Sequence, residues 1–182
     1  MSTKGWCSCG GVPLQTLFGG SAADIDDNDT DTVNNSSDAS GYDPIKFERR
    51  SEEAIAKMIN NWNSMLKPRI SDLWPTMGEN PDLRDVLRQL LTNTDSRDNP
   101  LAVEPYCVLW YGDVGIEDGA AVLRVKEGGE TRLSYVTRIL AYIFASNETF
   151  ELLLKSDTQG GPLPMSCDNV RCVNLSHCLI PQ

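Results

Sequence analysis

The sequence predicts an α+β fold. Two amphipathic helical stripes lie between residues 51 and 92, and β-forming residues crowd the stretch that opens at Pro105. A C-terminal run of cysteines and polar residues, ending on the chain's one histidine, has too few apolar side chains to fold by packing. The 182 residues are long enough to bury a sizeable core, and 40% of them are hydrophobic. No run approaches the length of apolar residues that a membrane span needs. No basic segment followed by an apolar one opens the chain, so a secretory leader is not expected.

The net charge of -10 is unevenly placed. Residues 1–43 hold seven Asp and one Lys, more than half of the total imbalance. Between Gly19 and Gly41 the chain is Ser, Ala, Asp, Asn, Thr and Gly with one Ile and one Val. Such a segment buries too little apolar surface to offset its ordering entropy, so residues 1–43 are expected to be a largely disordered acidic arm. The arm reads as a solvated linker, with docking on a basic partner as the alternative. Gly5-Trp6-Cys7-Ser8-Cys9-Gly10-Gly11, ahead of it, has no assigned role.

Residues 44–104 form a helical extension. Ile55, Met58, Ile59, Trp62, Met65 and Leu66 recur on one helical face, Ser51 can cap it, and Pro68 stops it. A second helix opens with Asn80 as cap and Pro81 at the first helical position. Leu83, Val86, Leu87, Leu90 and Leu91 are its stripe, and Thr92 to Pro100 is a polar loop. Both stripes have the width of ordinary core-facing surfaces.

Residues 105–182 carry the β segments and the chemistry. Tyr106 to Tyr111 reads as a strand, Ala120 to Lys126 as a second, and Thr131 to Leu133 as a third after the Gly128-Gly129 turn. Ser134 is the expected cap of a helix burying Val136, Ile139, Leu140, Ile143 and Phe144. Asn147 opens a short fourth helix through Leu154, and Gly160-Gly161-Pro162 breaks the chain before the last segment.

In that segment Cys167, Cys172 and His177 follow the spacing C-x4-C-x4-H. Two thiolates and an imidazole so close can converge on one tetrahedral ion, with zinc the expected metal. Cys107, on the predicted first strand, is the choice for the fourth ligand. Cys178 is a weaker candidate, and Cys7 or Cys9 would need the arm to fold back. The competing reading, three disulfides from six cysteines, fits a secreted chain less well supported by this sequence.

Three stretches resemble the HNH, or His-Me finger, endonucleases, in the branch whose loops bind zinc, as in certain intron-encoded homing endonucleases. They are Cys107-Val108-Leu109-Trp110, then Arg138-Ile139-Leu140-Ala141-Tyr142-Ile143-Phe144, then Cys167 to His177. The family shows C-W-x-W, H-R-x-A-Y-x-x-F and H-x-C-x-N-x-x-C-x-N-P-x-H-L in this order, and the match spans about Tyr106 to Ile180. The resemblance implies a ββα-metal fold with zinc held by Cys107, Cys167, Cys172 and His177.

The departures bear on function. The family's general base is a histidine two residues before the first cysteine of the last motif, and here Met165 stands there. A thioether exchanges no proton near neutral pH and cannot activate water. The family holds its catalytic magnesium through an Asn on a helix after the zinc-binding histidine. This chain runs only five residues past His177, so that helix is not expected. No catalytic residue is therefore assigned, and the chain is expected not to be an enzyme.

The expectation is a protein-interaction or regulatory module, intracellular in nucleus or cytoplasm, with a secreted form left open. No membrane and no small-molecule substrate is expected. A DNA- or RNA-binding pseudonuclease is the alternative, since the DNA-binding domain of Smad proteins is similar to this nuclease fold without its catalysis. For that role only Arg124, Lys126 and Arg132 on the predicted hairpin form a basic cluster. A residual nuclease is the third reading, with Asp113, Glu117 and Asp118 as possible cation ligands.

Overall fold

The computed structural model of the chain describes residues 47–72, 81–127, 130–156 and 161–179. The acidic arm with Cys7 and Cys9, the Asn80 cap and the Gly128-Gly129 turn lie outside the described residues. The elements run α1 (Glu52–Asn63), a 3₁₀ turn (Pro68–Asp72), α2 (Pro81–Thr92), β1 (Val122–Glu127) and β2 (Glu130–Tyr135). They continue with α3 (Val136–Phe144), α4 (Asn147–Ser156) and a second 3₁₀ turn (Leu175–His177). Among the described residues, helices with one two-stranded antiparallel sheet make the fold α+β.

Ser51 is extended, and its Oγ accepts the Ala54 N–H at 3.2 Å, which caps α1. Ile55, Ile59 and Trp62 form the buried face. The helix ends earlier than the apolar spacing suggested. Ser64 turns both its N–H and its hydroxyl back onto the Asn61 carbonyl, which closes the ladder at Asn63. Met65 consequently falls outside the helix and is 42% exposed, whereas Leu66 packs against the core. In α2 the whole expected stripe from Leu83 to Leu91 is buried, and the helix packs on both α1 and β1.

The end of α2 is closed by a buried cation. Arg50 Nη1 donates to the Leu91 carbonyl at 2.7 Å, the Thr94 carbonyl at 2.9 Å and Thr94 Oγ1 at 2.8 Å, and Nη2 donates to the Asp98 carbonyl. These bonds satisfy orphan carbonyls where the helix dipole favours positive charge. Just beyond, buried Asp95 accepts from the Glu48 N–H and from the Arg97 guanidinium.

The strand expected over 106–111 is not a ladder. Its residues alternate as a strand's do, with Val108 and Trp110 buried, but each side finds a different partner. Single bridges join Thr94 to Trp110 and Leu109 to Cys172, so the stretch ties α2's end to the C-terminal segment. On the Val122–Glu127 strand the register runs from Val122↔Tyr135 to Glu127↔Glu130. β2 is longer than Thr131 to Leu133 and runs straight into α3, which corrects the expected Ser134 cap. Ser134 is a buried strand residue paired with Leu123, and Tyr135 precedes α3 without a side-chain cap. The Val136 N–H bonds the Ala121 carbonyl at 2.9 Å instead.

Every residue of α3 is buried. Its C-terminal carbonyls would be costly to leave unpaired in the interior. Arg69 covers them, donating to the carbonyls of Ala141, Tyr142 and Ala145 at 2.9, 2.7 and 2.6 Å. Ser146 Oγ accepts the Thr149 N–H and caps α4, while Asn147 Oδ1 accepts from Arg69. One apolar cluster joins Ile55, Trp62 and Leu87 to Val108, Trp110, Leu123, Ile139 and Val173. The helices before residue 104 and the segment after it therefore share a core.

Candidate metal centre

The C-terminal segment folds by backbone pairing around a tight turn. Met165 and Cys178 bridge, the Ser166 N–H donates to the His177 carbonyl at 2.8 Å, and the Leu179 N–H to the Pro164 carbonyl at 2.9 Å. Between these arms Asp168 takes a left-handed conformation with φ 54°. Asp residues tolerate it better than most, and the turn leaves Cys167 at its corner. Asn169 then accepts the Arg171 N–H on Oδ1 and the Cys172 N–H on its carbonyl, which sets Cys172 facing inward.

The strand-like tie at 107–111 delivers the fourth member. The Trp110 N–H donates to the Arg171 carbonyl at 2.9 Å, and the Val173 N–H to the Val108 carbonyl at 2.8 Å. These bonds place Cys107 against the C-terminal loop. The ligand atoms of Cys107, Cys167, Cys172 and His177 all lie within 4.8 Å of one another, a Cys₃His group that could hold a metal ion. Among the described residues no other group of Cys, His, Asp or Glu converges this way. Cys178, the weaker candidate, is outside it, with Sγ 3.7 Å from Met165 Sδ.

His177 turns Nδ1 toward the sulfurs, 3.5 Å from Cys172 and 4.0 Å from Cys107. Its Nε2 lies 3.0 Å from the Glu104 carbonyl oxygen. A carbonyl only accepts, so the proton sits on Nε2 and Nδ1 keeps a lone pair for a metal. Cys172 is fully buried, whereas Cys107 and Cys167 are partly exposed.

The thiols differ in acidity. Burial opposes ionisation of Cys167, yet the Asn169 N–H, His177 and the neighbouring thiols outweigh it and bring the group down to about 7. Burial pushes Cys172 up to about 12 despite the N–H of Asn174, and raises Cys107. In Cys167 and Cys172 the backbone N–H two residues on is aimed at sulfur. Cys178 is also pushed up to about 12 by burial, with the charge of Cys167 adding to it.

The other residues singled out in the sequence are dispersed. Arg124 and Lys126 project from one face of β1, and Arg124 pairs with Asp113 at 3.2 Å. Arg132 is paired opposite Val125, which puts it on the other face. Asp118 is engaged by the Ala120 N–H and the Tyr135 hydroxyl, both at 2.9 Å. Met165 is buried at the wall of a cleft of about 250 Å³ lined by Leu163, Val170, Leu179 and Asp168.

Sequence reasoning missed the Glu104 carbonyl as the partner of His177. Every residue carries such an oxygen, so no side-chain signal marks it. The family resemblance marks Asn174 as the loop's structural Asn and not a metal ligand, but it assigned no partners to the side chain, which is buried between the two halves of the site. Compared with protein-family models, with curated proteins and with solved structures, the chain matches none.

Proposed function

We propose that the chain is a zinc-stabilised, catalytically inactive relative of the HNH endonucleases that acts as a protein-interaction or regulatory module. The donor set supports zinc, since three thiolates and an imidazole suit a closed structural site. Zinc bonds of about 2.3 Å to sulfur and 2.0 Å to nitrogen give tetrahedral edges of about 3.5–3.8 Å. The separations of 3.5 and 4.0 Å between Nδ1 and two of the sulfurs are close to those edges.

One observation carries the inactive reading. Both ring nitrogens of His177 are committed, one to the sulfurs and one to Glu104, and it is the chain's only histidine. No imidazole is then free to activate water, and Met165 supplies no substitute. The zinc of such a site orders the loop and leaves no open position for substrate. For the partner, the dispersal of Arg124, Lys126 and Arg132 weighs against a phosphate-binding cluster. The net charge of -10 favours a protein partner over a phosphate backbone.

Four measurements test this reading together. Metal analysis is expected to find one zinc per chain, with no nuclease activity in magnesium. Retention of labelled duplex or single-stranded DNA, lost steeply with salt, would replace the interaction reading with the pseudonuclease one. Co-purification of a stoichiometric protein partner from the native source is the expected positive result.

A further inference from the structure

We propose that Asn174 is the positioning residue of the metal centre, fixing which imidazole nitrogen of His177 faces the ion. The inference rests on the zinc reading above. Asn174 is 0% exposed, and both ends of its side chain are used. Nδ2 carries two hydrogens and has two acceptors, the carbonyls of Glu104 at 3.2 Å and Tyr106 at 3.1 Å. Oδ1 accepts the Ser176 N–H at 3.0 Å and the Ser176 hydroxyl at 2.7 Å. The first pair belongs to the segment that delivers Cys107. The second belongs to the 3₁₀ turn that delivers His177. One buried amide therefore locks the two halves of the site in register, 68 to 70 residues apart in the chain.

The tautomer follows from that lock. The Glu104 oxygen held by Asn174 is the same atom that faces His177 Nε2. A carbonyl has two lone pairs and serves both donors. With the acceptor fixed, the imidazole proton is held on Nε2 and the lone pair on Nδ1 points at the sulfurs. Asp is the discriminating replacement. It keeps the oxygen that Ser176 needs, has no hydrogens for Glu104 and Tyr106, and sets negative charge against two carbonyls.

The test uses the full chain, zinc-loaded and ¹⁵N-labelled, in which a single histidine gives one imidazole pattern. Wild type is expected to show Nε2 protonated and Nδ1 metal-bound, with cadmium substitution giving coupling to Nδ1 alone. In Asn174→Asp, zinc affinity measured against a competing chelator is expected to fall about 10–100-fold, and the single-tautomer pattern to be lost. Ser176→Ala, which spares both Nδ2 bonds, is expected to keep the wild-type pattern. Unchanged affinity and tautomer in Asn174→Asp would overturn the inference while leaving the zinc reading intact. A wild-type chain that binds no zinc would refute both. If Asn174→Asp does not fold, the readout is the wild-type Asn174 amide: slow exchange of its Nδ2 protons in the zinc-loaded chain supports the lock, and fast exchange overturns it.

Discussion

His177 faces the Glu104 carbonyl at 3.0 Å across 73 residues of sequence. This contact joins the 3₁₀ turn Leu175–His177 to the loop that leads into Cys107. A ligand shell is thereby assembled from two distant segments, and its loss should be felt in both.

Removing one buried ligand tests the shell most directly. Cys172→Ser is expected to lower bound zinc from about one per chain to near zero, because the metal loses a fully desolvated thiolate. Metal analysis with a thiol count checks it. A variant that keeps its zinc, or a wild type with three disulfides, would refute the site.

Chelated protein should show graded thiol reactivity. Cys167, at about 7, is mostly thiolate at pH 8, whereas Cys172 and Cys178, at about 12, remain protonated. Iodoacetamide at pH 8 is expected to label Cys167 ahead of Cys172 and Cys178, as read by peptide mass mapping. Equal labelling of all three would contradict the ordering. The signs for stability are opposite. A thiol lowered from 9 to about 7 stabilises the fold above pH 9, and that contribution is lost as pH falls through 7. The raised thiols destabilise it as pH climbs from 9 toward 12.

Acid should also loosen the junction around Asp95. The Arg97 guanidinium, bonded to the buried carboxylate, holds Asp95 far below the usual carboxylate range. Its contribution is present above pH 4 and is lost progressively as pH falls. Asp95→Asn should flatten the acid limb of a plot of melting temperature against pH. An unchanged limb would place the acid sensitivity elsewhere.

Gly112→Ala is expected to destabilise the chain by about 1–3 kcal/mol, measured by denaturant unfolding. A Cβ there would lie 2.7 Å from Trp110 Cζ2 and 2.9 Å from Asn93 Cγ. The Trp110 ring has little freedom to move, because its Nε1–H is bonded to the Asp113 carbonyl at 2.8 Å. For comparison, Leu87→Ala in the core should cost about 2–5 kcal/mol.

The sequence was most legible where a period spans several turns. The stripes of α1 and α2 and the buried face of α3 were readable because burial repeats with the helix. The C-x4-C-x4-H spacing was readable because ligands of one ion must lie close in the chain or be brought close. Tyr106 to Tyr111 misled for a physical reason: the alternation that suits a ladder also suits a stretch bridged once on each side. Ser134 misled because a serine before a helical stripe resembles a cap, while the Ala121 carbonyl already took the Val136 N–H. Such backbone partners come from the far side of the fold and leave no mark on local sequence.

Val108 and Val173, beside the ligands, lie in the same apolar cluster as Ile55 and Leu87. Cutting the chain near residue 104 would strip that cluster from both fragments and leave each with a greasy face. A fragment of this kind would capture partners through surface that the whole chain keeps dry. Binding screens with the metal-bearing part alone would therefore report stickiness of the cut, and only the joined helices and loops present the native exterior.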